Sequence, residues 1–177
     1  ILKEAPKMYS STVEYPDTSI GAKLRGISQI HQAGFGTRIL YCDHGSFDSH
    51  SNQVGMHDKL WKDTSEAVEC FFDDLKEHDA ADNVVMLMFT EFGRRVHDNG
   101  SGTDHGSGGV AFILGNSVKG GLYGEYPSLD PGEQVEGDMC FNNDFRGTYA
   151  TLLDQWMGID PYTILNDHYE QFDLIRR

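Results

Sequence analysis

The chain is short of basic residues and of cysteines, and it has no long apolar run; each shortage removes a class of function. Its 14 lysines and arginines face 28 acidic residues, giving a formal charge of −14 over 177 residues. Nucleic acid and anionic membrane surfaces both call for a basic face, so neither is expected as the main partner. The three cysteines, Cys42, Cys70 and Cys140, are odd in number and lack CxxC spacing. That excludes a zinc ribbon and a disulfide framework and leaves them to be read as buried thiols. Nothing approaches the run of about 18 apolar residues that a membrane-spanning helix needs. The opening ILKEAPKMYSS has neither an initiator Met nor the basic-then-apolar layout of a signal peptide, so the chain is expected to be a piece of something longer. Internal repeats are absent, and the glycine-rich VKGGLYGEYP matches neither a phosphate-cradling P-loop nor a dinucleotide fingerprint.

What is present reads as a single α/β domain over residues 1–177, with a hydrophobic fraction of 38%. After a loose lead-in of some 16 residues, Ile20, Leu24, Ile27 and Ile30 recur at helical spacing, with Asp17, Thr18 or Ser19 as cap and Gly34 or Gly36 as stop. TRILYC reads as a short strand and residues 54–78 as a long amphipathic helix. NVVMLMFT, apolar almost throughout, has the pattern of a strand buried on both faces. A polar, glycine-rich loop follows, then the strand VAFILG, a second glycine-rich connection, and a helix over DFRGTYATLLDQWMG that Asp144 caps and Gly158 ends. Helix–strand alternation predicts a mainly parallel sheet.

Ligand-type side chains gather beside these strands. YCDHGSFDSHSNQ supplies Asp43, His44, Asp48 and His50, FTEFGRR supplies Glu91, and GTDHG supplies Asp104 and His105. Sites in open α/β sheets form outside the carboxyl ends of strands, which would put the first two groups on one rim. Mixed oxygen and imidazole donors suit a divalent metal such as zinc, manganese or iron better than calcium, with zinc or manganese the expected ion. An Asp-His pair followed by glycine is equally a hydrogen-bonded turn, and it is the convergence of three separate loops that favours a metal. Arg94 is either an anion clamp through paired donors or a surface arginine pairing with nearby acids.

GSFDSHSNQ, FTEFGRRVHDNGSGTDHG, VKGGLYGEYPSLD and DFRGTYATLLDQWMG, in this order and spacing, resemble successive segments of the bacterial family called domain of unknown function 1501, within the alkaline phosphatase and sulfatase superfamily. The resemblance implies a three-layer α/β fold of the alkaline phosphatase kind, of which this chain would be the C-terminal half. It implies metal-dependent hydrolysis of a small phosphate or sulfate ester, with a hydroxyl nucleophile upstream in the missing half of the domain. By superfamily order, Asp48 and His50 match the first ligand pair, Glu91 the next carboxylate and His105 the late histidine. Phe92 stands where a histidine is usual; alternatively Asp104 and His105 form that pair and Glu91 supports them. The rival expectation is an exported binding or surface protein that keeps the fold without catalysis. A periplasmic or secreted address is implied by the resemblance alone.

Overall fold

The structure, a computed structural model, describes residue 7 and residues 9–176; the earlier part of the expected lead-in lies outside the described residues. The chain divides into two compact units, Ile1–Asn83 and Val84–Arg177.

The first unit is built on two helices. Helix α1, Ser19–Gln32, begins where the Thr18 hydroxyl accepts the Gly21 N–H, so Thr18 is the cap among the three candidates. Its buried residues Ile20, Leu24 and Ser28 follow one another at four-residue spacing and form one face. Helix α2, Gln53–Glu77, buries a matching stripe of Leu60, Thr64, Ala67, Phe71 and Leu75. The expected bounds of both helices hold to within a few residues. α2 has no side-chain cap; Asn52 enters it in the left-handed region at φ 51°, a conformation asparagine tolerates.

TRILYC does not form a ladder. Its exposure alternates, with Ile39 and Tyr41 out and Leu40 and Cys42 half-buried, so the period of a strand is there although no strand is formed.

Among the described residues, the second unit holds four short strands: β1 Met86–Met88, β2 Gly93–Asp98, β3 Thr103–Gly106 and β4 Phe112–Leu114. β1 pairs with β4 and β2 with β3, both antiparallel. A mainly parallel sheet is therefore not what the described strands form. A parallel return needs a crossover of a dozen or more residues, usually a helix. Here the segment between β1 and β4 folds on itself as the β2–β3 hairpin, and β4 comes back antiparallel. The fold is mixed α/β with small antiparallel sheets.

Helix α3, Phe145–Thr151, starts where Asp144 accepts the Arg146 N–H at 2.9 Å, and it runs on as a π turn over Leu152–Trp156. Gly158, at φ 65°, follows the end of that turn as expected. A last short helix, α4, spans Tyr162–Leu165. The tail then returns beside residues 117–119: Val118 and Ile175 form an antiparallel bridge, and Leu174 and Ile175 are buried.

Candidate metal centre

In the first unit the candidate residues lie on the loop between α1 and α2. Phe47 turns inward, its ring 5.3 Å from Trp61 and 5.5 Å from His44, both edge-on. Ser49 also turns inward, its hydroxyl 2.9 Å from His57 Nε2 on α2. Gln53 at the start of α2 donates to the Ser49 carbonyl, tying the helix to the loop. With alternate residues anchored inward, Asp48 and His50 are both exposed, and Asp48 Oδ1 lies 3.4 Å from His50 Nε2.

The two neighbouring candidates have other duties. Lys23 donates to the Asp43 carbonyl at 2.7 Å and to its carboxylate at 2.8 Å, and this contact holds the Asp43 carboxyl below its usual range. His44 Nδ1 lies 2.9 Å from the Thr64 hydroxyl, which spends its single proton on the Leu60 carbonyl at 2.7 Å. Thr64 must therefore accept, so His44 carries its proton on Nδ1 and presents Nε2 as a lone pair. Burial depresses the His44 pKa, which favours that neutral form.

In the second unit, GRRVHD and TDHG are strands of a hairpin rather than a loop. Asn99 makes the turn: its side-chain oxygen accepts the N–H groups of Ser101 and Gly102, and its amide donates to Asp104 Oδ1 at 2.9 Å. Adjacent residues of a strand face opposite sides, so Asp104 joins the turn while His105 stacks on Phe92. Arg94 lies opposite His105 in the register and donates to the Thr103 carbonyl at 2.7 Å. Glu91 is exposed in the link between β1 and β2. Arg95, not Arg94, lines an open concavity of about 510 Å³ together with Ser107, Asp138 and Cys140.

The hairpin's far end is held from a distance. Asp138 accepts the Ser107 N–H at 2.8 Å, and the Ser107 hydroxyl donates to the Met139 carbonyl at 2.8 Å. A Cβ on Gly93 would sit 1.7 Å from the Gly108 carbonyl oxygen, and one on Gly106 would sit 2.4 Å from Asp138 Oδ1. Glycine is needed at both places for close approach.

Each unit thus gathers a subset of the candidates: Asp48 with His50 in the first, and Arg94 with His105 in the second. His57 at Ser49, Phe92 on His105 and Asp138 at Ser107 are structural parts that the residue types alone do not announce. Ser49 and His57 sit one loop and one helical turn apart, a spacing that can be read along the chain; Asp138 lies 31 positions from Ser107 and left no local signal. The thiols differ from expectation, since Cys140 is exposed and Cys42 and Cys70 are half-buried. Burial pushes the Cys42 and Cys70 thiols up, away from nucleophilic use.

No curated protein and no solved structure matches the chain. The family described as "Protein of unknown function (DUF1501)" matches residues 5–171, nearly the whole length, and the chain belongs to that family.

Proposed function

We propose that the protein is a metal-dependent hydrolase of a phosphate or sulfate ester, on a three-layer fold of the alkaline phosphatase kind. One observation carries the reading: Asp48 Oδ1 and His50 Nε2 lie 3.4 Å apart on one anchored loop. Two donors each about 2.0–2.1 Å from a tetrahedral zinc ion are about 3.3–3.4 Å from one another, so this spacing fits one edge of a coordination tetrahedron. The same distance also suits a plain ion pair, and metal titration separates the two.

The proposed donors are those named from the sequence: Asp48, His50, Glu91, Asp104 and His105. One ion would draw on only one of the adjacent Asp104 and His105, which face opposite sides of their strand. When bound, a divalent cation such as zinc or manganese supplies polarisation of an ester oxygen and a lowered pKa for water. His44, neutral and with its Nε2 lone pair fixed by Thr64, is the proton acceptor on the same loop. Arg94 is the proposed contact for the substrate anion, with Arg95 as the competing choice. An exported address belongs to the same proposal. Phe92, at the place of a superfamily histidine, favours a second reading, a binding or surface protein without catalysis.

The test is metal analysis of the purified full-length protein, followed by hydrolysis assays with p-nitrophenyl phosphate and p-nitrophenyl sulfate. Bound zinc or manganese that is lost in His50→Ala, together with chelator-sensitive release from one ester, is the expected result. Bound metal with no turnover of any phosphate or sulfate ester supports the second reading. A wild-type protein that takes up neither metal overturns the proposal.

A further inference from the structure

Phe92 and His105 stack face to face, ring centroids 3.7 Å apart and planes 8° from parallel. Two electron-rich rings avoid this arrangement, because each presents a negative face; offset or edge-on contact is the usual solution. Overlap becomes favourable when one ring is electron-poor. An imidazole that has given a nitrogen lone pair to a divalent cation is such a ring, and a phenyl face attracts it as it attracts other cationic groups. The same Phe92 ring has the Arg94 guanidinium 5.2 Å from its centroid, so its face already serves a cation.

The hairpin fixes this ring firmly. Gly93, next in the chain, is buried against the Gly108 backbone, and Arg94 is paired with His105 in the strand register. The nitrogens of His105 lie in the plane of its ring, so a partner stacked on the face leaves their lone-pair directions unobstructed by that partner. A second ring set edge-on to the nitrogens would have blocked them.

We propose that Phe92 is a positioning residue: a π platform that orients His105 toward a divalent cation and favours the cation-bound imidazole. This rests on the reading of His105 as a metal ligand. It also gives a reason for the departure from the superfamily pattern, since the side chain in the place of a ligand supports another ligand.

Zinc titration of the full chain by calorimetry tests it, using Phe92→Tyr, Phe92→Leu, His105→Ala and proteins with one, two or three fluorines on the ring at position 92. Phe92→Tyr keeps the face and should bind within about twofold of wild type, whereas Phe92→Leu should bind about three- to tenfold more weakly. Successive fluorines withdraw density from the face and should weaken zinc binding stepwise, with the thermal midpoint in chelator unchanged. A purely steric role would leave the fluorine series flat. Zinc affinity that depends on His105 but is flat across that series overturns the platform. Absence of zinc binding in wild type, or full binding in His105→Ala, brings down the ligand reading itself and the platform with it.

Discussion

Asp74 is a carboxylate with no exposed surface on the inner face of α2, and it is tolerated there because of what donates to it. Tyr9 and Tyr15 give it their hydroxyl protons at 2.6 and 2.8 Å. Burial by itself would raise its pKa, but the hydroxyl bonds outweigh that and hold it low. Burial and the shared carboxylate push the Tyr15 hydroxyl the other way, upward, so it remains a donor. Asp74→Ala should destabilise the first unit by about 3–5 kcal/mol in urea unfolding, with Asp74→Asn costing less because an acceptor oxygen remains. Helical phase, three residues after Phe71, puts Asp74 rather than Asp73 on the inner face, but the two tyrosines some 60 residues earlier that make a carboxylate tolerable there leave no signal in the run FDDLKEHD. In the second unit, Gly93→Ala should cost about 3 kcal/mol or more, because the clashing atom is backbone and cannot rotate away. Loss of dispersed hairpin amide resonances in an NMR spectrum would report it, and a native spectrum would contradict the packing.

At the scale of elements, the helices were legible because their signals are local. Thr18 and Asp144 act as caps, and the α2 stripe follows the 3.6-residue period. The β2–β3 hairpin was not read, although Asn99 and Gly100 are turn formers, because its flanks are charged rather than alternately apolar. TRILYC has the composition of a short strand, and composition carries no information about a neighbour. Residues 9–12 are held to the end of α2 by a device that is not local, its partners lying more than 60 positions apart. His78 Nδ1 lies 2.8 Å from the Asp74 carbonyl and Nε2 lies 2.8 Å from the Ser10 carbonyl. Carbonyls only accept, so both nitrogens carry protons and the ring is cationic. Glu77 accepts the Thr12 N–H beside it, Tyr9 stacks on the ring, and Arg25 lies beyond Tyr9. The Asp74 carbonyl, then Ser10 and the acids Asp74 and Glu77, raise the His78 pKa above 6.5. A raised folded pKa contributes stability that is complete below the unfolded value and is lost as pH climbs through the folded one. Amide protection at Thr12 should therefore fall as pH rises from about 6 to about 9, and His78→Gln should be low and flat over that range. A wild-type profile that is level across it would exclude the cationic ring.

For the whole molecule, net charge opposes the proposed substrate. A protein at −14 repels a small anionic ester at long range, and salt screens that repulsion. Where turnover is found, kcat/KM for a phosphate or sulfate ester should rise with added salt, contrary to an enzyme that steers its substrate by charge. Arg94→Ala should lower kcat/KM roughly tenfold while leaving zinc content unchanged, and Arg95→Ala is the control that decides between the adjacent guanidiniums. Zinc should also raise thermal stability by about 2.7 kcal/mol at a hundredfold excess over its Kd, and unmoved melting would contradict specific binding to the folded state.

The return of residues 174–176 beside 117–119 bears on how this protein is made. Lys119 donates its backbone N–H to the Leu174 carbonyl, Arg176 donates to Ser117, and the Lys119 ammonium meets Asp173, 54 positions away. Contacts between such distant partners form late, after the cost of closing the intervening loop has been met. A ribosome that has released the chain only as far as α4 has produced a second unit whose buried Leu174 and Ile175 are still to come. Up to that moment Val118 lacks its bridge partner Ile175 and the Lys119 N–H lacks its Leu174 acceptor, so the unit is an unfinished body that a chaperone can hold until residues 173–176 are made.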